Sequence, residues 1–324
     1  MRIYLRPLEW HPRLSKYSAM ASLSHRQASS LVALLALFPC FLFARVGSDN
    51  PEITYRTGTS EVRVTFFATD QNNRLVETID QNDFAVVDGD RIIRDFRSLT
   101  RSDETKLDIV VLIDASESVA PRFPIMAEQV LRLIAHNHPG DDLSIISFAG
   151  LRPSVLCTAD CSNISAANKI RSLNPAGSTP LFDSLAFTAQ YIADRHTDGV
   201  RQVLILLSDG NDTISGTSAR QALDALTGTG ALLYTINSNK PSRDLKGTLA
   251  LQEMAEATGG RSFSAPDNAP QVLQAALADL RASYVVTYPL PSRAAGFHSL
   301  RILPKHNLTL RFHCRRGYFY DEIR

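Results

Sequence analysis

Short, almost unbroken runs of Ile, Val and Leu alternate with stretches of helical periodicity between Leu107 and Tyr284. The runs Leu107–Ile113, Leu143–Phe148, Val203–Leu207 and Leu232–Ile236 predict strands covered on both faces, because a half-solvated strand would alternate apolar and polar positions. Apolar residues three and four apart predict helices at Phe123–His136, Ala166–Ser172, Leu181–Arg195, Ser218–Leu226, Leu249–Ala257 and Pro270–Ser283. Gly140, Gly210, Gly230 and the Gly259–Gly260 pair fall between these elements, where tight or left-handed backbone suits glycine. Strand and helix in alternation predict an α/β unit, a Rossmann-like doubly wound sheet that is mostly parallel.

The flanks have a different rhythm. Val62–Thr69 alternates, Asp83–Val87 follows, and Ile92–Phe96 comes after an Asp88-Gly89-Asp90 turn. Beyond Tyr284, Val285–Tyr288, Ser299–Ile302 and Leu308–His313 are again short and separated by Pro, Gly and Asn. Sheets of two or three strands are marginal alone, so the flanks are expected to pair into one small all-β, sandwich-like domain with the α/β unit inserted in it. Val62, Val64, Phe66, Phe84, Val86, Val285, Leu300, Ile302, Leu310 and Phe312 are its expected interior. The resulting division is a leader over 1–47, a β-rich flank over 50–103, the α/β domain over 104–282 and a second β-rich flank over 283–324.

The leader is basic, with Arg2, Arg6, Arg13, Lys16 and Arg26 against the single acid Glu9, and runs into the uncharged stretch Leu31–Phe43. That order is the order of an export signal, and the stretch is shorter than the roughly 20 apolar residues that span a bilayer. A signal peptide is therefore expected, with an uncleaved membrane anchor as the alternative, and an exported product: secreted, periplasmic or attached to the cell envelope. A formal charge of +1, from 34 basic and 33 acidic side chains, provides no global field for nucleic acid or anionic lipid. Membrane contact is expected only through the leader. Export also changes the reading of the cysteines. Cys157 and Cys161 are close enough to close a small loop in an oxidising compartment; half of a metal site and two buried thiols are the other readings.

The chemistry concentrates at Asp114-Ala115-Ser116-Glu117-Ser118, directly after the strand Leu107–Ile113. Ligands of open α/β sheets bind outside the carboxyl ends of the strands, and alternate residues of an extended loop aim a carboxylate and two hydroxyls at one point. Hard oxygens of this kind suit magnesium, manganese or calcium. Thr179, in the turn before the helix at Leu181, supplies another hydroxyl, and Asp209, in Ser208-Asp209-Gly210 after the strand Val203–Leu207, a second carboxylate. Alone, Asp-x-Ser-x-Ser is an ordinary turn composition and reads as a capped helix start. Three pieces, each at a strand or helix end, outweigh that reading.

Asp114, Ser116, Ser118, Thr179 and Asp209, in this order and spacing, resemble the von Willebrand factor type A family, over about residues 106–282. The resemblance implies a metal-ion-dependent adhesion site. In it Ser116, Ser118 and Thr179 contact the metal directly in some states, and Asp114 and Asp209 often act through water. The flanks also resemble bacterial secreted proteins related to this family, which carry a segment like Asp83-Phe84-x-Val86-x-Asp88-Gly89 before the domain and an Arg-Gly-Tyr like Arg316-Gly317-Tyr318 after it.

Three neutral hydroxyls and two carboxylates leave part of a cation's charge uncompensated, so a carboxylate from a protein partner is the expected last ligand. Binding, for adhesion or assembly, is expected in place of catalysis. The chain has no G-x-S-x-G, no H-E-x-x-H and no P-loop. A scaffold in which metal merely stabilises the loops, and a hydrolase using the metal as Lewis acid, are the alternatives. His136, His138, Asp141 and Asp142 read as a helix end and a polar turn, Glu117 and Asp183 as solvated or capping groups beside the site, and Asp212 as a residue that supports the site from behind its ligands or as a loop residue.

Overall fold

In the computed structural model, the described residues are 61–320 except 103–104, 240–244 and 265–269. The expected leader lies outside them. The first flank supplies β1 (Glu61–Thr69), β2 (Leu75–Val76), β3 (Phe84–Asp88), β4 (Arg91–Ile93) and β5 (Ser98–Arg101). The α/β unit follows as β6 (Leu107–Asp114), α1 (Phe123–His136), β7 (Asp142–Ala149), β8 (Arg152–Cys157), α2 (Ile164–Arg171), α3 (Leu181–Ala193), β9 (Arg201–Ser208), α4 (Ala219–Thr229), β10 (Leu232–Asn237), α5 (Leu245–Thr258), β11 (Ser262–Ser264) and α6 (Pro270–Arg281). The closing flank is β12 (Tyr284–Pro289), β13 (Gly296–Pro304), β14 (Arg311–Cys314) and β15 (Gly317–Tyr320).

The central sheet has the order β11-β10-β9-β6-β7-β8, parallel except for β8. The chain has an α/β fold. Every residue of β6 is buried, with Ile109, Val111 and Ile113 in one core and Val110 and Leu112 in another. That is why its sequence is a continuous apolar run: α1 and α6 cover one face, and α3, α4 and α5 the other. Cys157 and Cys161 form a disulfide between β8 and the loop before α2.

Strands from the two flanks share sheets. One has the order β14-β1-β12-β5, with β2 also on β1, and the other the order β15-β13-β3-β4. Between them lies a core that includes Val64, Phe66, Phe84, Val86, Val286, Tyr288 and Ile302. Val286, opposite Val64, takes the inward place expected of Val285, which is only half-buried. Leu308, expected to begin a strand, is exposed in a turn, and strand structure starts at Arg311. Ile92 is exposed as well, and β4 ends at Ile93, short of Phe96.

The chain enters and leaves the α/β unit at one point. Ser102 N–H donates to Ser283 O at 2.8 Å, and the Arg201 guanidinium donates to Ser102 O, Leu280 O and Ser283 Oγ. A second contact joins the end of α5 to the corner between β14 and β15. Arg316 N–H donates to Ala257 O, and a Cβ on Gly259, at φ +90°, would stand 2.4 Å from Arg315 N. Arg316 also pairs with Glu253 and Glu256, which accounts for this basic residue as part of the contact.

Candidate metal centre

β6 ends in a tight turn that Asp114 builds for itself: Oδ1 accepts the N–H of Ser116 at 2.9 Å. The turn brings Ser116 Oγ to 3.1 Å from Ser118 Oγ. Asp114 and Ser116 are buried, and Ser118 is exposed at the mouth. The other Asp114 oxygen, Oδ2, accepts from Ser208 Oγ at 2.7 Å, which ties the end of β6 to that of β9. Sequence reasoning passed over Ser208; its place beside Asp209 in the Ser-Asp-Gly triplet was the available signal.

The loop before α3 is laced to the same turn. Glu117 N–H donates to Gly177 O at 3.0 Å, Ala176 N–H to Ala115 O at 2.9 Å, and Gly150 N–H to Ser178 O at 2.8 Å. Thr179 is held through its backbone: its N–H donates to Thr213 Oγ1 at 2.8 Å, and its carbonyl accepts from Thr213 N–H at 2.9 Å. Its buried hydroxyl takes no part in those bonds. Asp209 is buried, with Oδ1 accepting from Asn211 N–H, and Asn239 donates to its carbonyl. After it, Gly210 sits at φ +80°, where a Cβ would stand 2.3 Å from Gly247 O, so the loop lies directly on α5.

Two further carboxylates, Asp183 and Asp212, both expected beside the site, shape this edge. Asp183, in the first turn of α3, accepts from the N–H groups of Gly216 and Thr217. Asp212 accepts from Phe182 N–H and from both the N–H and the hydroxyl of Ser215. Together they clamp the 211–217 loop onto the helix that follows Thr179. The histidine-rich turn is structural: His136 Nδ1 bonds its own helix at Arg132 O, Asp141 accepts from Leu107 N–H and pairs with Arg281, and Asp142 pairs with Lys106.

Burial pushes the Asp114 carboxyl up to about 6; hydrogen bonds from Ser116 and Ser208 oppose that shift, and the charge of Asp209 adds to it. A cation nearby reverses this pressure, because it rewards the ionised form. The donor set is all hard oxygen, which fits magnesium, manganese or calcium and not a soft metal. Among the described residues, no cluster of three or more His, Cys, Asp or Glu side chains could hold a metal ion, so any cation here relies on the hydroxyls as well.

Residues 109–211 match the model of the von Willebrand factor type A domain family. The chain carries a von Willebrand factor type A domain. No curated protein matches the chain. Similar solved structures include a von Willebrand factor type A protein from Catenulispora acidiphila, at 16% identity and TM-score 0.45, covering 82% of this chain and 64% of that one. An aerotolerance-related membrane protein from Bacteroides fragilis has 20% identity and TM-score 0.42, covering 54% of this chain and 98% of that one. The vWF domain of a type V pilus tip protein from Porphyromonas gingivalis has 14% identity and TM-score 0.39, covering 55% of this chain and 94% of that one. No helix among the described residues is long and apolar enough to cross a membrane.

Proposed function

We propose that the A domain holds a divalent cation, magnesium or its close relatives, at the carboxyl edge of its sheet and uses it to bind a carboxylate of a protein partner. Ser116, Ser118 and Thr179 supply hydroxyls, and Asp114 and Asp209 supply the charge. The observation that carries this reading is the Asp114 turn: a buried carboxylate holds two serine hydroxyls within 3.1 Å of each other at the end of a fully buried strand. Burial penalises the ionised Asp114 carboxylate, and a hard cation would offset that penalty while taking the two hydroxyls as further oxygen ligands.

Binding, not turnover, is the use we assign to the site. Asp114 already has one oxygen on Ser116 N–H and the other on Ser208 Oγ, so it is poorly placed to take a proton from a nucleophile. The basic leader followed by the uncharged Leu31–Phe43 supports an exported or envelope location for the partner as well.

Calorimetric titration of the full chain with magnesium or manganese tests the metal, and Asp114→Ala should weaken affinity at least ~10-fold. Unchanged affinity in that variant would sink the assignment. A pull-down from an envelope fraction, with and without chelator, tests the use: capture lost with chelator supports binding through the metal. Metal-dependent thermal stabilisation without such capture would favour a scaffold in which the cation only stiffens the loops.

A further inference from the structure

Burial alternates strictly along β13. Leu300 and Ile302 point into the sandwich core, so Phe297, Ser299, Arg301 and Leu303 project from the opposite face of the sheet. Strand register carries that face sideways: Phe319 of β15 lies opposite Phe297, and Val87 of β3 and Ile92 of β4 continue the row of Arg301. The outer face of an antiparallel sandwich is ordinarily polar, yet Phe297, Phe319, Ile92 and Leu303 are 56%, 55%, 59% and 45% exposed. The two phenylalanine rings pack on each other, centroids 5.2 Å apart. Gly317 makes room for them, since a Cβ there would stand 2.3 Å from Cζ of Phe297.

Arg301 stands within this apolar face, exposed and without a partner. It enters no hydrogen bond or ion pair among the described residues, and no strand position on the same face is acidic. Between residues 281 and 320 the closing flank has seven Lys or Arg and no acid. Asp141 takes up Arg281, and Glu253 and Glu256 take up Arg316, but nothing in the chain meets Arg301. Covering a guanidinium with apolar surface alone is unfavourable, so whatever covers this face brings a carboxylate. Six residues along β13 and three strand spacings across make the face roughly 20 Å by 14 Å. That falls well short of the roughly 800 Å² a stable dimer needs from each partner, and a two-fold contact through its centre would set Arg301 against its own copy. An anionic lipid surface gains only about fivefold from one arginine. A single α-helix, about 10–12 Å across, fills the width, and a helix is an ordinary cover for an apolar sheet face.

We propose that the outer face of the β15-β13-β3-β4 sheet binds one amphipathic helix of a partner protein. The apolar stripe of that helix lies on Phe297, Phe319, Leu303 and Ile92 and carries an Asp or Glu opposite Arg301. The contact goes beyond the metal-dependent reading and is independent of it, because no cation takes part.

Ser299, exposed between Phe297 and Arg301 on β13, is the place for a photo-crosslinker. The full chain with Ser299→p-benzoylphenylalanine is irradiated with an envelope fraction of the source cells, and the adduct is mapped by mass spectrometry. The expected adduct is a peptide of another protein whose apolar residues recur three and four apart with an Asp or Glu among them, formed equally with and without chelator. Adding Arg301→Glu should cut its yield at least ~10-fold without moving the melting curve, and exchanging the mapped carboxylate for Lys should restore it. A lipid adduct, an adduct with a second copy of this chain, or no adduct would overturn the proposal. So would a yield that chelator abolishes, or one that neither Arg301→Glu nor the exchanged charge changes. None of these results bears on manganese affinity, so the metal-dependent reading stands or falls by its own calorimetry.

Discussion

The imidazole of His313 lies flat on the ring of Phe67, centroids 4.6 Å apart and planes 5° from parallel. Phe67 belongs to β1 yet is buried in the core of the A domain, and His313 also hydrogen-bonds Thr69. The pair is therefore a joint between the β-sheets and the α/β unit. Burial, helped by the Arg261 charge, lowers the His313 pKa to about 4. In the unfolded chain it is near 6.5. Above that value the ring is neutral in both states; between 6.5 and 4 the unfolded state gains a proton that the folded state refuses, so stability falls as pH falls. The loss is at most about 3 kcal/mol. Denaturant unfolding at pH 7.5 and 4.5 should show a smaller drop for His313→Phe than for the parent; equal drops would remove His313 as the cause.

Phe67→Ala should be the costliest change at this joint, about 3–5 kcal/mol, because it empties a buried site that also supports Tyr234 and His313. The unfolding midpoint in urea measures it.

Asp183→Ala should weaken metal binding by roughly 10-fold while leaving the melting temperature nearly unchanged. Its carboxylate, held below the usual range first by the Thr217 hydrogen bond, organises the loop that carries Thr213 to Thr179 and makes no core contact. Manganese calorimetry beside a melting curve separates the two effects, and equal affinities for parent and variant would show that the clamp is irrelevant to the metal.

Gly210→Ala should destabilise the domain by more than about 3 kcal/mol, since the residue combines positive φ with a backbone contact that a methyl group cannot share. Circular dichroism melting of the variant gives the answer directly.

Deleting everything after Tyr288 removes β13, β14 and β15, and with them one of the two partners of β3 and one partner of β1. The 61–102 segment should then aggregate or be digested, while the A domain survives limited proteolysis. A protected fragment from 61–102 would mean that the first flank folds without the second.

The sequence by itself determined the α/β core and the residue types at its carboxyl edge. A strand buried on both faces must be written as an almost unbroken apolar run, as in Leu107–Ile113, and the polar oxygens at its end stand out as Asp114, Ser116 and Ser118 because nothing about burial explains them. Tertiary structure decided what local pattern leaves degenerate. Val285 and Val286 are adjacent and identical, so only pairing with β1 selects which faces inward. The edge strand β8 (Arg152–Cys157) is mostly solvent-facing, and its hydrogen bonds to β7 carry no hydrophobic signature. Ser208, Asp183 and Asp212 act through hydrogen bonds to residues distant in sequence or to loop backbone, so their roles exist only once three separate loops meet at one sheet edge.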